Sequence, residues 1–147
     1  MELICKEEAY QVLGAAMAVH SELGSGFSEK VYQDALEIEF QERGIPYERE
    51  VPIHALYHGQ ELKSEFVPDF VCYESVIVEL KAVKELDDIF RSQAINYMKV
   101  ANMDLSLLIN FSRSHCNMSV SQTMINSSNS NNSLSKKKKE YVYSTRL

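Results

Sequence analysis

The sequence lacks any long run of apolar residues. Hydrophobic residues make up 45% of its 147 positions, yet no stretch approaches the ~18 consecutive apolar residues that a membrane span needs. Its N-terminal segment, MELICKEEAY, is acidic where a signal peptide carries a basic region. We therefore expect a protein that neither spans a membrane nor is exported, and that resides in the cytoplasm.

Cysteine is scarce as well. Cys5, Cys72 and Cys116 are odd in number, far apart and outside any CxxC pattern. That spacing disfavours both a disulfide framework and a zinc site. A reducing cytoplasm fits this cysteine pattern.

Basic residues are few in most of the chain. Residues 1–112 contain 9 Lys and Arg against 20 Asp and Glu, a formal charge of -11, whereas residues 113–147 contain 6 against 1, or +5. Such an acidic body has no general affinity for a polyanion. A nucleic-acid substrate would therefore need bound metal ions, a local basic patch, the basic C-terminal segment or a protein partner.

Length and composition predict one domain followed by a tail. A chain of this size forms one core rather than two, so we assign residues 1–112 to a single domain and expect one active site. Residues 113–147 lose hydrophobic periodicity and include the Ser/Asn- and Lys-rich stretch SSNSNNSLSKKKK. Such a composition predicts a flexible, disordered tail, although the terminal YVYSTRL can add a short edge strand.

Hydrophobic spacing predicts three helices. Apolar residues recur at helical intervals over residues 7–23, 28–43 and 85–101. Ser28 can cap the second helix and Gly44 can stop it. We place the buried stripe of this second helix on Val31, Ala35, Leu36 and Phe40.

Four β-rich segments surround the third helix. Period-two alternation over residues 51–57, followed by a turn at His58-Gly59, predicts a strand and the start of a hairpin. Residues 65–73 and 75–83 are two further strands joined by a short turn, and residues 104–111 form a buried strand. The order ααβββαβ predicts an α/β fold with a mixed sheet flanked by helices.

Two charged residues interrupt the most apolar of these strands. Glu79 and Lys81, in VIVELKAV, are two positions apart, so both side chains project from one face of the strand. Burying such groups is costly unless they are paired or hold an ion. Asp69 lies ten residues before Glu79, and a hairpin turn near Glu74 would bring the two carboxylates together.

Two converging carboxylates favour a hard cation such as Mg²⁺ or Mn²⁺. Such an ion would polarise a phosphodiester and activate a bound water, while Lys81 could position that water or stabilise the developing charge. The alternative is a plain Glu79–Lys81 salt bridge on a solvent-facing strand, because Glu61-Leu62-Lys63 shows that ExK also occurs where it needs no function. The apolar flanks and the spacing to Asp69 favour the site.

Five further residues are candidates for the same site. Gln93 and Tyr97 share a face of the third helix, although Tyr97 packed in the core is the alternative. Glu29, in the first turn of the second helix, could be a third acidic ligand. Alternatively, its carboxylate could serve only to stabilise the helix through its interaction with the helix dipole. Tyr32 would cover the same face, and His20 could reach this region or be a satisfied core histidine.

The order of these residues resembles that of a known family. The stretch Gly26-Phe27-Ser28-Glu29-Lys30-Val31-Tyr32 matches the naming motif of the small bacterial GxxExxY proteins, within the PD-(D/E)xK nuclease superfamily. The similarity continues over roughly residues 7–112 and includes VELKAV and LLINF. It implies a restriction-endonuclease-like core.

The same resemblance implies a role for each candidate residue. Asp69 and Glu79 become metal ligands and Lys81 the catalytic lysine. Glu29 becomes an auxiliary acid that can also bind the metal, and His20 is carried over as a further candidate ligand. The pair Gln93 and Tyr97 is similar to the QxxxY element of RecB-like nucleases, which implies that it orients the site or contacts the nucleic acid.

Two functions follow from the sequence. The first is metal-dependent hydrolysis of phosphodiester bonds in nucleic acid, with DNA as the expected substrate and Mg²⁺ or Mn²⁺ as the cofactor. The second is a nuclease-fold module that has little or no catalytic activity and binds nucleic acid or a protein partner, which the acidic body makes plausible. Metal binding separates the two functions.

Overall fold

A computed structural model describes residues 5–112, 117–123 and 138–144. In these ranges the chain forms three helices, α1 (Lys6–Leu23), α2 (Glu29–Arg43) and α3 (Asp88–Val100). It also forms eight strands: β1 (Tyr47–Arg49), β2 (Ile53–Tyr57), β3 (Gln60–Phe66), β4 (Phe70–Cys72), β5 (Val76–Lys81), β6 (Leu105–Asn110), β7 (Asn117–Thr123) and β8 (Lys138–Ser144). None of the described helices is long and apolar enough to cross a membrane.

Helix α2 buries Leu36 and Phe40 of the predicted stripe, together with Tyr32 instead of Val31. Tyr32, Leu36 and Phe40 are fully buried at intervals of four, as residues on one helical face must be. Val31 is 37% exposed, so its predicted burial is wrong. Gly44 ends the helix as predicted, because its φ of 66° is a left-handed conformation that glycine adopts without a Cβ clash.

The predicted mixed sheet is confirmed. Its strands lie in the order β1-β4-β5-β6-β7-β8. Strands β5 and β6 are parallel, since α3 crosses over between them, and the other neighbouring pairs are antiparallel. The central strands therefore have both faces available for burial, which explains why every residue of β6 is buried.

The segment predicted as one strand over residues 65–73 is divided in two. Strands β2 and β3 form a separate two-stranded sheet, while β4 belongs to the main sheet. Val67, Pro68 and Asp69 lie in the break, where Pro68 has no N–H to donate to a ladder. Asp69 therefore lies immediately before β4, outside the ladder hydrogen bonds.

The two faces of β5 have different surroundings. Val76, Val78 and Leu80 belong to the main core, together with buried residues of α1 and α2. The alternate residues Glu79 and Lys81 project from the opposite face, where the ammonium of Lys81 meets α3. The sheet thus places the charged pair on the side away from the main core.

The main sheet continues beyond the predicted domain boundary at residue 112. Strand β7 pairs with β6, and β8, the outermost strand, pairs with β7. Part of the terminal YVYSTRL, predicted as a possible edge strand, lies in β8. Residues 124–137, which contain most of the Ser/Asn-rich stretch, lie outside the described ranges, so the flexible tail stays a prediction.

Tyr32 joins the sheet to the loop between α1 and α2. Its ring lies parallel to that of Phe111, at a centroid distance of 4.4 Å, and is fully buried. Its hydroxyl donates a hydrogen bond to the Gly24 carbonyl oxygen (2.6 Å) and accepts one from the Phe27 N–H (3.4 Å). These contacts fix the loop that leads into Glu29.

The Tyr32 hydroxyl can be tested by Tyr32→Phe. We expect this change to lower the free energy of unfolding by about 1 kcal/mol, because two backbone groups lose their partner while the ring packing is kept. Urea denaturation measures the difference. Tyr10→Phe is the control, since Tyr10 is 72% exposed and its hydroxyl should contribute nothing; equal stability of both variants and the parent would contradict the role of Tyr32.

Candidate active site

The carboxylates of Asp69 and Glu79 each accept a backbone hydrogen bond from the other's chain segment. The Asp69 N–H donates to Oε1 of Glu79 (3.1 Å), and the Leu80 N–H donates to Oδ2 of Asp69 (2.7 Å). The antiparallel ladder explains this contact, because Phe70 pairs with Val78 and the next residues outward are Asp69 and Glu79. The hairpin inferred from the sequence therefore does bring the two carboxylates together.

Glu79 carries the largest electrostatic perturbation among these carboxylates. Burial raises the pKa of Glu79 to about 8, and the neighbouring charges of Asp69 and, more weakly, Glu29 act in the same direction. The hydrogen bond from the Asp69 N–H and the charge of Lys81 oppose the rise. Without a further cation, Glu79 therefore holds its proton at neutral pH.

Asp69 has the same kind of environment. Burial is the main cause of its raised pKa, the hydrogen bond from Leu80 opposes it, and the charge of Glu29 adds to it. Lys81 lowers the pKa of Asp69, whereas Glu50 raises it. The electrostatic neighbours of both carboxylates thus include Glu29 and Lys81, the two other residues of the predicted site.

Lys81 is held by an aromatic ring of α3. Its Nζ lies 4.6 Å from the centroid of the Phe90 ring, a favourable cation–π distance. Lys81 is half-buried and projects from the same face as Glu79, and its charge lowers the pKa of both carboxyl groups. The structure therefore combines one cation with two partly buried carboxyl groups.

The donor set suits a hard divalent cation but does not form a closed cage. Asp69 and Glu79 offer carboxylate oxygens, which Mg²⁺ and Mn²⁺ prefer, and each has one oxygen that does not accept the two backbone bonds described above. Glu29 is exposed in the first turn of α2. Over the described ranges, no three His, Cys, Asp or Glu side chains are grouped closely enough to hold a metal ion.

His20 packs against Phe111, the residue that follows β6. It is 7% exposed and its ring stacks on Phe111 at a centroid distance of 6.3 Å. Within the described part of the chain, its Nε2 has no hydrogen-bond partner. A role of His20 as a metal ligand stays a prediction.

Tyr97 packs against the β2–β3 hairpin, whereas Gln93 is exposed. The Tyr97 ring lies parallel to that of Phe66 at the end of β3, with a centroid distance of 3.3 Å. Gln93, one turn earlier on α3, is exposed. Their proposed contact with the substrate stays a prediction, as does that of Tyr32, whose hydroxyl is already bonded to the α1–α2 loop.

Three residues near Asp69 were not recognised in the sequence. Gln33 on α2 contacts the Asp69 carbonyl, Glu50 is an electrostatic neighbour of Asp69, and Arg49 contacts Gln33. They belong to no motif, and Arg49 and Glu50 lie 20 and 19 positions before Asp69. Only Gln33 could have been suspected from the sequence, because it is a polar residue next to the apolar stripe of α2.

Comparison with known protein families identifies the superfamily of the chain. The family model of the PD-(D/E)XK nuclease superfamily matches residues 6–123. The chain belongs to the PD-(D/E)XK nuclease superfamily. Pro68-Asp69 and Glu79-Leu80-Lys81 agree with the letters of the superfamily's name, and nucleases of this superfamily generally use divalent metals.

The superfamily match also extends through β7, past the boundary predicted at residue 112. No curated protein and no solved structure matches the chain. Membership of the narrower GxxExxY group therefore stays a prediction, based on the residues from Gly26 to Tyr32.

Because the pKa of Glu79 is raised, the free energy of unfolding should fall as the pH rises. Between its ordinary value of 4.5 and about 8, the folded chain retains a proton that the unfolded chain has lost. Stability of the metal-free protein should therefore decrease as pH rises from 5 to 8, by at most about 1.4 kcal/mol per pH unit from this group. Denaturation with a chelator present measures the slope.

Glu79→Gln should flatten this pH dependence, because glutamine has no proton to lose. The raised pKa of Asp69 acts with the same sign, so some slope remains in this variant. Glu42→Gln, at an exposed position of α2, is the control and should keep the slope of the parent. An unchanged slope in Glu79→Gln would show that Glu79 ionises normally in the folded protein.

Proposed function

We propose that this chain is a metal-dependent nuclease that hydrolyses phosphodiester bonds of nucleic acid, with DNA as the expected substrate. The observation that supports this function best is that the backbone hydrogen bonds from Asp69 and Leu80 hold the carboxylates of Glu79 and Asp69 together, with the charge of Lys81 nearby. A pair of partly buried carboxylates with raised pKa values needs a cation to become fully charged. The membership of the superfamily agrees with this need.

Asp69 and Glu79 would hold Mg²⁺ or Mn²⁺, and Glu29 would act as an auxiliary acid. When bound, such an ion polarises a phosphoryl oxygen and lowers the pKa of a coordinated water. Glu29 is close enough to influence both carboxylates electrostatically but remains exposed. This arrangement suits a site that opens to a nucleic-acid backbone and leaves positions for water and phosphate.

Lys81 would act on the reacting phosphate. Its ammonium can donate hydrogen bonds to a non-bridging oxygen or to the attacking water, and its positive charge stabilises the negative charge that develops there. The Phe90 ring restricts the position of the ammonium before substrate arrives. Less reorganisation is then needed when the phosphate binds.

Substrate affinity would come from a small part of the surface. The charge of -11 over residues 1–112 repels a polyanion, so bound cations and Lys81 must offset that repulsion locally. A protein partner or the basic segment 113–147 would supply further affinity. DNA binding should accordingly weaken with increasing salt and require the divalent ion.

A second candidate function is binding without cleavage. It is favoured by the exposure of Glu29 and by the lack, over the described ranges, of a three-residue group able to hold a metal. In this case the fold would serve as a module for nucleic acid or a protein partner. Metal titration followed by a cleavage assay distinguishes the two functions.

Lys81→Met tests the catalytic proposal. We expect cleavage of DNA to fall by about 10²- to 10³-fold, as when one donor to a developing charge is removed, while Mn²⁺ binding measured by calorimetry is kept. Lys63→Met is the matched control, because Lys63 belongs to the second ExK sequence and lies exposed on β3. Equal activity of both variants would contradict the role of Lys81.

Asp69→Asn tests the metal site itself. It keeps the side-chain shape but removes one anionic ligand, so Mn²⁺ binding and cleavage should be lost together. Linear, nicked and single-stranded DNA and RNA should each be assayed with Mg²⁺ and with Mn²⁺. If the folded parent protein binds neither ion and cuts none of these substrates, the second candidate function is correct.

A further inference from the structure

Gln33 is a buried polar residue on the core-facing side of α2. It is 5% exposed and directly follows Tyr32, whose ring is in the main core. A buried carboxamide is costly unless its donors and its acceptor are bonded. The hydrogen-bond partners of Gln33 therefore indicate its role.

Each end of the Gln33 carboxamide has a defined partner. Oε1 accepts a hydrogen bond from Nη2 of Arg49 (3.2 Å). Nε2 donates to Oε1 of Glu50 (3.4 Å) and to the carbonyl oxygen of Asp69 (3.4 Å). Because a guanidinium can only donate, Arg49 fixes which end of the amide faces the two acceptors.

Arg49 is itself anchored to α2. Its Nη2 lies 2.7 Å from Oδ1 of Asp34, and its Nη1 lies 3.5 Å from Oε2 of Glu37. The guanidinium is only 22% exposed, so these contacts are partly shielded from water. The orientation of the Gln33 amide is therefore set by an ion pair on the same helix.

Glu50 contacts Asp69 through its backbone as well. Its φ is 56°, a left-handed conformation that is uncommon for a residue with a Cβ. In this conformation its N–H donates to the Asp69 carbonyl oxygen (3.2 Å), which also accepts from Gln33. One carbonyl thus receives two donors from two different segments.

Asp69 is consequently held on every side. Its N–H is bonded to Glu79, its carbonyl oxygen to Glu50 and Gln33, and its Oδ2 to the Leu80 N–H. The bonds from β5 lie on one side of Asp69, and those from α2 and the segment after β1 lie on the other. Removing the second group would leave the Asp69 carbonyl oxygen without both of its donors.

We infer that Gln33 is a positioning residue, which holds the backbone of Asp69 so that its carboxylate meets Glu79 in the geometry a divalent cation needs. This inference deepens the proposed function, since it assigns the support of the metal site to a residue that touches neither metal nor substrate. Groups that orient ligands in this way typically contribute 10- to 100-fold to metal affinity.

The first test compares Gln33→Met with Gln41→Met. Both replace a glutamine of α2 by an apolar side chain of similar length, and Gln41 bonds only to the exposed Tyr47 hydroxyl (2.8 Å). We expect Gln33→Met to weaken Mn²⁺ binding by about 10-fold or more, and Gln41→Met to leave it unchanged. Thermal unfolding of both variants separates a loss of affinity from a loss of fold.

The second readout needs no metal. The Leu80 amide donates to the Asp69 carboxylate, so its NMR chemical shift and hydrogen exchange report whether that side chain stays in place. In metal-free protein, Gln33→Met should shift this resonance and speed its exchange, whereas Gln41→Met should not. An unchanged Leu80 amide in folded Gln33→Met would overturn the inference.

Two substitutions at Glu50 keep the test decisive if Gln33→Met does not fold. Glu50→Gln removes the charge but keeps an oxygen that can accept from Gln33, while Glu50→Gly removes the acceptor and suits the positive φ. A Leu80 amide altered in Glu50→Gly, and normal in Glu50→Gln, supports the network. Identical spectra for the two variants would contradict it.

The results also separate this inference from the proposed function. If the parent protein binds no Mn²⁺ but the Leu80 amide responds to Gln33→Met, the proposed function fails and the positioning role stands. If the parent binds Mn²⁺ and neither the affinity nor the amide changes in folded Gln33→Met, the metal site stands and the inference fails.

Discussion

The contact between Asp69 and Glu79 is the constraint on which the rest of the site depends. Two carboxylates that would repel one another are held together by backbone N–H groups, each taken from the other's chain segment. Burial raises the pKa of both carboxyl groups, and the charge of Asp69 adds to the rise at Glu79, although the backbone hydrogen bonds oppose it. The fold thus holds together two carboxyl groups whose full ionisation a bound cation would favour.

Lys81 alone does not provide that relief. Its charge lowers the pKa of both carboxylates, yet that of Glu79 remains at about 8, because burial and the charge of Asp69 outweigh it. A divalent ion would reverse the balance and leave the ammonium free to act on a phosphate. A site that combines a divalent ion with Lys81 explains why β5, whose other residues are buried, carries a glutamate and a lysine on one face.

Local pattern was enough to predict the pairing of Asp69 with Glu79. The short turn near Glu74 and the alternation of β5 determine which side chains meet, and both are visible over fewer than fifteen residues. The helices and the mixed sheet followed from hydrophobic periodicity in the same way. On α2 the periodicity identified Leu36 and Phe40 correctly but chose Val31 instead of the neighbouring Tyr32 at the start of the helix.

Contacts between distant segments could not be predicted in this way. Gln33 meets Asp69 over 36 positions, and Tyr97 stacks on Phe66 because the β2–β3 hairpin leaves the main sheet. The break at Pro68, which frees Asp69 from the ladder, was hidden in a segment with strong strand preference. Such features depend on tertiary packing. In a single sequence, the only sign of them is an isolated polar residue on an apolar face.

Binding of a divalent cation by Asp69 and Glu79, next to Lys81, can be tested most directly by anomalous X-ray diffraction from crystals of this protein grown with Mn²⁺. We expect an anomalous peak bonded to one oxygen of each carboxylate, with the Lys81 ammonium nearby. A well-ordered site with no peak between these side chains, at millimolar Mn²⁺ and neutral pH, would contradict it.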